Sequence, residues 1–211
     1  MARPQPAVLL LGPTGSGKSP LGDLLERTGL WGRRCAHFDF GANLRAAAAR
    51  GGPGLEPREL DVLRRSLETG ALLEDADFPV AAKIVRVFLA ARGLSGRDLL
   101  VLNGLPRHAG QARDLEPLAS VLAVVSLETD AETIRERLRL DPGGDRAGRI
   151  DDTPAAVADR LRTFAARTIP LLEYYGSRGA ALLPVCVEAT TRPDDAAAVL
   201  ETLRGRVSLP A

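Results

Sequence analysis

A glycine-rich segment near the start of the chain constrains the fold more than any other feature. Residues 12–19 read Gly-Pro-Thr-Gly-Ser-Gly-Lys-Ser and match the pattern G-x-x-x-x-G-K-[ST], between a short apolar run at 7–11 and a segment of helical character at 18–27. Glycines let successive backbone N–H groups point inward, and the N-terminus of the following helix adds partial positive charge. The segment therefore predicts a strand, a phosphate-binding loop and a helix, in that order.

The residues of this loop have separable chemical roles. Lys18 is predicted to reach the β- and γ-phosphates of ATP, and the Ser19 hydroxyl is the expected Mg²⁺ ligand. The remaining ATP-binding positions, which contribute backbone N–H groups and space for the phosphates, are predicted to be Gly12, Gly15, Ser16 and Gly17. A phosphate loop does not identify the phosphate acceptor, because hydrolases, small-molecule kinases and transferases all use one.

Short apolar runs alternate with amphipathic segments along the rest of the chain, which is the pattern of a parallel sheet with helices on both faces. The predicted strands cover residues 7–11, 37–40, 99–102, 121–127 and 182–187. The predicted helices cover residues 18–27, 44–50, 56–69, 77–92, 107–118, 130–139, 153–175 and 194–205, and Pro170 is expected to bend the helix that contains it. With 211 residues and 45% apolar content, the chain is predicted to form one α/β domain.

The charge and the cysteine content limit the binding partners and the cellular location that we expect for this protein. The formal net charge is +1, so we expect neither a nucleic acid polymer nor a membrane surface as a partner. Only Lys18 and Lys83 are lysines, so 26 of the 28 basic residues are arginines, whose planar guanidinium grips phosphate in two places. Cys35 and Cys186 lie far apart and are predicted to be reduced, and no early apolar run is long enough for a signal peptide or membrane span. A cytoplasmic protein is expected.

Further motifs follow the phosphate loop in a particular order. They are His-Phe-Asp-Phe-Gly-Ala-Asn-Leu-Arg at 37–45, Asn-Gly-Leu-Pro-Arg at 103–107 with Gln111 after it, and Arg-Ile-Asp-Asp at 149–152 with Arg160-Leu161 after it. In this order they resemble the adenylate kinase family of nucleoside monophosphate kinases, from about Val8 to Arg206. The resemblance implies a P-loop NTPase-like, three-layer domain spanning 1–211, with an acceptor-binding insert at about 41–75 and a short lid at about 140–150.

The resemblance also implies an activity and its site. The expected reaction is reversible, Mg²⁺-dependent transfer of the ATP γ-phosphoryl group to AMP, which gives two ADP, by a monomeric enzyme. The expected catalytic residues are Lys18, Arg107, Arg149 and Arg160. Arg107, together with Arg45, is expected to hold the acceptor phosphate. Arg149 and Arg160 are expected to contact phosphates across the transfer point. Arg137 is expected near the ATP base. The remaining expected acceptor residues are Phe40, Gly41, Leu73, Gly104 and Gln111, the last reading the base edge.

The chain departs from the family pattern where chemistry is expected. Phe40 replaces a threonine that faces the acceptor base, and Asp141 stands where compact lids carry an arginine. Asn103 replaces an aspartate that holds the water shell of Mg²⁺; asparagine keeps the shape but loses the charge, so weaker metal affinity and a lower rate are expected. Two alternatives therefore stay open: a kinase for a different nucleoside monophosphate, and a nucleotide-binding protein of this fold with weak or no kinase activity.

Overall fold

One parallel sheet organises the molecule. The computed structural model describes residues 3–144 and 153–210. The strands are β1 (Gln5–Leu11), β2 (Cys35–Asp39), β3 (Leu99–Asn103), β4 (Ala119–Glu128) and β5 (Ala181–Cys186). They form a five-stranded sheet in the order β2-β3-β1-β4-β5, and every neighbouring pair is parallel. The predicted α/β class is confirmed.

Helices connect the strands, as parallel pairing requires. They are α1 (Lys18–Thr28), α2 (Phe40–Arg50), α3 (Pro57–Thr69), α4 (Phe78–Arg92), α5 (Ala109–Leu115), α6 (Ala131–Leu140), α7 (Pro154–Thr163), α8 (Leu171–Gly176) and α9 (Pro193–Thr202). Short 3₁₀ turns lie at Asp75–Asp77 and Arg204–Arg206. Among the described residues, no helix combines the length and apolar character needed to cross a membrane.

The two faces of the sheet carry separate hydrophobic cores. Along β1, Ala7 and Leu9 belong to the core covered by α4, α5 and α8, whereas Val8 and Leu10 belong to the core covered by α1 and α9. Because successive side chains of a strand point to opposite faces, a strand covered on both sides is apolar at every position. This explains why β1 reads as a continuous apolar run, and why its carboxyl end is free to carry a loop.

The long helix predicted at 153–175 is interrupted, so that prediction was wrong in its middle. Helix α7 ends at Thr163, a π-helical turn covers Phe164–Thr168, and α8 begins at Leu171. The Ile169 N–H donates to the Phe164 carbonyl oxygen across 3.0 Å, one residue further back than in an α-helix. Pro170 has no N–H and its ring would clash with a carbonyl in a regular α-helix, so the chain widens before it.

The junction between β2 and α2 also differs from the prediction. The strand was expected at 37–40 and the helix at 44–50, but β2 ends at Asp39 and α2 begins at Phe40. The Asp39 side chain accepts a hydrogen bond from the Ala42 N–H and so caps the helix four residues earlier than expected. Phe40 is consequently the first residue of a helix rather than the last of a strand.

The predicted insert and lid have different outcomes. Helices α2 and α3 and the turn at Asp75–Asp77 occupy the region of the insert, whose function as an acceptor-binding unit stays a prediction. Most of the predicted lid lies outside the described residues; of its described part, Leu140 ends α6 and Asp141 takes a left-handed conformation after it. Cys35 is buried in β2, which raises the pKa of its thiol to about 12, whereas Cys186 is exposed on β5.

Candidate active site

The phosphate loop lies between the carboxyl end of β1 and the first turn of α1. Gly15 and Gly17 have φ angles of 80° and 95°, values that residues with a Cβ atom rarely adopt. Gly17 is the N-cap of α1, so Lys18 and Ser19 are the first helical residues and belong to the turn whose backbone N–H groups have no partner within the helix. The predicted strand, loop and helix are therefore present, in a geometry suited to an anion.

Lys18 is held against the loop from which it extends. Its Nζ atom donates to the carbonyl oxygens of Gly12 and Pro13, both at 2.7 Å, and lies 3.5 Å from the Ser16 hydroxyl. Lys18 also lines the large cavity described below. The carbonyl oxygens of the loop thus hold the Lys18 ammonium at the border of the cavity, where it could contact a phosphate group bound by the loop.

A polar network joins the phosphate loop to the ends of β2 and β3. The Ser19 hydroxyl donates to Asp39 Oδ2 at 2.7 Å, and Asn103 Nδ2 lies 3.0 Å from the Ser19 Oγ and 3.1 Å from the same carboxylate oxygen. Asp39 and Asn103 are directly paired in the β2–β3 register. Sequence reasoning missed Asp39, although an acidic residue at the carboxyl end of an apolar strand was the available signal.

The environment keeps Asp39 ionised. Burial by itself raises the pKa of its carboxyl, but hydrogen bonds from the Ala42 N–H and the Ser19 hydroxyl outweigh burial, and the pKa is lowered below its ordinary value of 3.8. Near neutral pH the network therefore contains a carboxylate that two donors stabilise.

A cavity of about 600 Å³ opens from the phosphate loop toward α2, α3 and α7. This volume is typical of a small-molecule site. Cationic side chains from different elements line it: Lys18 from α1, Arg45 from α2, Arg107 from the segment after β3, and Arg160 from α7. Residues that are distant in sequence therefore converge on one space, as an arrangement for binding several phosphate groups requires.

Arg107 is fixed in this cavity by its own backbone surroundings. Its Nε donates to the Gly104 carbonyl oxygen at 3.0 Å, and its carbonyl oxygen accepts from the Thr168 hydroxyl at 2.9 Å. Desolvation lowers the pKa of the Arg107 guanidinium, and the positive charge of Arg160 lowers it further. The nearby Asp39 carboxylate acts in the opposite direction and raises this pKa. Arginine remains protonated in proteins, so the electrostatic cost of placing these cations together is offset when an anion binds between them.

The expected base-reading residue is held by the protein at both ends of its amide. Gln111 is only 1% exposed; its Nε2 donates to the Leu73 carbonyl oxygen at 2.7 Å, and its Oε1 accepts from the Arg107 N–H at 2.8 Å. One amide hydrogen and one lone pair remain after these two contacts. Gln111 and Leu73 both line the cavity, and so does Gly104 beside Arg107. Their predicted contacts with an acceptor stay predictions.

Phe40 and Gly41 border the same cavity where α2 begins. The Phe40 side chain is only 6% exposed, and its ring packs against Phe38 with the ring centroids 6.1 Å apart. Most of the ring therefore belongs to the hydrophobic core, and little of it is exposed to a ligand. The predicted role of Phe40 in stacking on an acceptor base stays a prediction.

Arg137 is a buried side chain that joins two segments of the backbone. Its side chain is only 4% exposed and donates to the carbonyl oxygens of Gly15 at 3.0 Å, Glu188 at 2.6 Å and Thr191 at 2.9 Å. It joins the phosphate loop to the segment after β5. A recess of about 10 Å³ lies beside it, and the predicted contact of Arg137 with the ATP base stays a prediction.

Some predicted residues fall outside the part of the chain that the structure describes. These are Arg149, a predicted catalytic residue, and the acidic pair Asp151 and Asp152 that was expected to orient arginines. Their predicted roles stay predictions.

The network around Ser19 fits a magnesium ion in its donor chemistry. The Ser19 hydroxyl and the Asp39 carboxylate offer the oxygen ligands that Mg²⁺ prefers, and Mg²⁺ is normally held by few protein groups together with phosphates and water. Among the described residues, no cluster of three or more His, Cys, Asp or Glu side chains forms a metal site made of protein alone.

A phosphate loop that opens onto a cation-lined cavity at the carboxyl edge of a parallel sheet is the architecture of P-loop phosphotransferases, and this protein is a phosphotransferase of that kind. No protein-family model matches the chain. Similar proteins nevertheless identify its family. Adenylate kinase from Synechococcus sp. (strain CC9311) is 36% identical, over 82% of this chain and 85% of its own. Adenylate kinase from Methylobacterium radiotolerans is 34% identical, over 82% of this chain and 84% of its own. Adenylate kinase from Xylella fastidiosa (strain 9a5c) is 31% identical, over 82% of this chain and 86% of its own. The chain belongs to the adenylate kinase family.

A solved structure supports the fold independently. A gluconokinase from Sinorhizobium meliloti 1021 superimposes with a TM-score of 0.55 over 97% of this chain and 96% of its own, with 21% sequence identity. At this identity the similarity concerns the fold alone. The resemblance predicted from the sequence motifs and the predicted P-loop fold are both confirmed.

Proposed function

We propose that this protein transfers the γ-phosphoryl group of ATP reversibly to AMP, giving two ADP, with Mg²⁺ as the cofactor. The observation that carries the proposal is the single cavity that joins the phosphate loop to Arg45, Arg107 and Arg160. Phosphoryl transfer depends mainly on in-line positioning and on positive charge around the transferred group. Membership of the adenylate kinase family supports AMP as the acceptor.

The residues divide the work by their positions. The backbone N–H groups of the loop bind the ATP phosphates, and Lys18 exchanges the Gly12 and Pro13 carbonyl oxygens for phosphate oxygens. Arg45 and Arg107 hold the acceptor phosphate, while Arg160 and Arg149 neutralise charge between donor and acceptor. When bound, Mg²⁺ would supply charge neutralisation at the β- and γ-phosphates, with Ser19 and the neighbouring polar network holding it. Enclosing the nucleotides excludes water and so suppresses hydrolysis of ATP.

The residues expected to contact the acceptor base support a second candidate function. Phe40 is a mostly buried apolar ring where the family has a hydroxyl group, and part of the Gln111 amide is occupied by Leu73 and Arg107. A hydroxyl that hydrogen-bonds a base strongly rejects bases without a matching group, whereas an apolar contact discriminates weakly. These observations favour a kinase for another nucleoside monophosphate as the alternative to AMP.

A comparison of acceptors tests both candidates. ADP formation is measured with ATP and Mg²⁺ against AMP, GMP, CMP, UMP and their deoxy forms, with gluconate included because a gluconokinase shares the fold. We expect the highest kcat/KM for AMP and a loss of at least ~100-fold in kcat for Lys18→Ala. A higher kcat/KM for another monophosphate supports the alternative. ATP binding without turnover of any acceptor would contradict the proposed reaction.

The remaining expectations about context belong with this proposal. Small nucleotides are the proposed ligands, a monomer is the proposed state, and a role in nucleotide biosynthesis in the cytoplasm is the proposed setting. Sedimentation of the purified protein at several concentrations tests the monomer, since association would raise the apparent mass with concentration.

A further inference from the structure

The carboxylate expected at the end of β3 is present at the end of the neighbouring strand. Asn103 stands at the carboxyl end of β3 and is paired in register with Asp39 at the carboxyl end of β2. The Asp39 Oδ2 atom accepts from the Ser19 hydroxyl at 2.7 Å and lies 3.1 Å from Asn103 Nδ2. One negative charge therefore remains beside the Ser19 hydroxyl, although it comes from a different strand.

We propose that Asp39 supplies the carboxylate that holds the water shell of the Mg²⁺ bound to ATP, in place of an acid at Asn103. The inference rests on the proposed function, because it concerns the metal that accompanies ATP. Neighbouring strands are about 4.8 Å apart, so side chains from adjacent strand ends reach a common point. The Asp39 carboxylate is thus able to serve the same space as an acid on β3.

The same geometry explains why position 103 is an amide. An aspartate there would place a second carboxylate about 3 Å from Asp39 Oδ2, and two such like charges cannot both ionise without a large energetic cost. Asn103 instead offers amide hydrogens to Ser19 Oγ and Asp39 Oδ2. The asparagine is a donor that holds the carboxylate in place, and its loss of charge is matched by the acid next to it.

A second pair of residues supports this orientation of Asn103. Asp23 Oδ1 lies 2.8 Å from His37 Nδ1, which places the imidazole proton on Nδ1 and leaves Nε2 as an acceptor. Asn103 Nδ2 is 3.3 Å from that Nε2 atom. The amide nitrogen therefore faces hydrogen-bond acceptors on both sides.

Nucleotide binding without an acceptor tests the proposal. Calorimetry measures the affinity for a non-hydrolysable ATP analogue with Mg²⁺ and with a chelator, and the ratio of the two affinities reports the metal. We expect Asp39→Asn to lower this ratio about tenfold, as is common for groups that support a metal site, while the metal-free affinity changes little. Asparagine is also a good helix N-cap, so α2 is expected to persist. Because no acceptor is present, the result is independent of the acceptor identity.

A charge-relocated variant and a matched control complete the experiment. The double variant Asp39→Asn/Asn103→Asp moves the carboxylate to β3 and is expected to recover most of the lost ratio. Asp114→Asn, an identical change at an exposed position of α5, should leave the ratio unchanged. An unchanged ratio in Asp39→Asn, or a parallel fall of both affinities, would overturn the role of Asp39 toward the metal.

Discussion

At the scale of single residues, the same amino acid does different work according to its surroundings. Arg45 and Arg107 line the cavity, whereas Arg167 forms an exposed ion pair with Glu74 at 2.9 Å. Exposed pairs of that kind contribute only about 0–1 kcal/mol to stability. Arg137 differs from both groups because it is buried and binds backbone carbonyl oxygens. The abundance of arginine therefore says little about function until each side chain is placed.

The buried clamp formed by Arg137 leads to a prediction about stability. Arg137→Ala removes the donor of several carbonyl oxygens near the phosphate loop, so the free energy of unfolding should fall by about 2–4 kcal/mol. Urea denaturation followed by circular dichroism measures the change. Arg135→Ala, on the exposed side of the same helix, should stay within about 0.5 kcal/mol of the wild type. Equal effects of the two substitutions would contradict the clamp.

At the scale of elements, the packing of α1 on β2 connects the fold to the site. Gly22 of α1 lies against the imidazole of His37, which is buried in β2 and touches Asn103. The glycine leaves space that the ring occupies. A local rule would favour alanine at this position, since glycine in a helix interior costs about 0.5–1 kcal/mol relative to alanine. The tertiary contact between the two elements reverses that preference.

Substitution of Gly22 tests this contact. A Cβ atom there would lie 2.3 Å from His37 Nε2 and 2.4 Å from Cδ2, so either the ring or the helix must move. Gly22→Ala is expected to lower the free energy of unfolding by about 1–3 kcal/mol, as overpacking usually does. Thermal and urea unfolding provide the measurement. Gly96→Ala serves as the control, because an added Cβ there meets nothing within 4 Å; a more stable Gly22→Ala protein would refute the steric conflict.

At the scale of the whole molecule, the sheet brings distant segments together at one edge. The carboxyl ends of β1, β2 and β3 carry the phosphate loop, Asp39 and Asn103 respectively. The cavity at this edge extends to α7, so a ligand that fills it would contact segments that lie between Leu10 and Thr168. The net charge of +1 does not reveal this arrangement, because it sums charges over the whole chain, whereas Lys18, Arg45, Arg107 and Arg160 line one cavity.

A bisubstrate ligand tests whether the whole cavity acts as one site. The ligand joins ATP to AMP through an added phosphate, and we expect it to raise the melting temperature more than a non-hydrolysable ATP analogue or AMP alone. A ligand at 100 times its Kd adds about 2.7 kcal/mol to stability. Lys18→Ala should lose most of the shift, whereas Lys83→Ala, whose lysine pairs with Glu59, should keep it. A shift no larger than that of either nucleotide would argue against adjacent sites.

Much of the fold followed from local patterns. The phosphate loop was recognisable from its glycines and lysine, and the continuous apolar runs of β1 and β3 indicated strands buried on both faces. The errors in element boundaries fell where a single residue changes the backbone within a few positions of itself. Asp39 moves the start of α2 to Phe40, and Pro170 introduces a π-helical turn into a segment predicted as one helix. Periodicity alone carries no information about such events.

The amino-acid sequence by itself determined the phosphate loop, the α/β class and the order of the motifs, because these depend on residues close together along the chain. Only the tertiary structure decided that Asp39 stands beside Ser19, that Arg137 is a buried clamp, and that part of the Gln111 amide is already engaged. The physical reason is the strand order β2-β3-β1-β4-β5. It makes neighbours of strand ends that are distant in sequence, and so brings Asp39 and Asn103 beside Ser19.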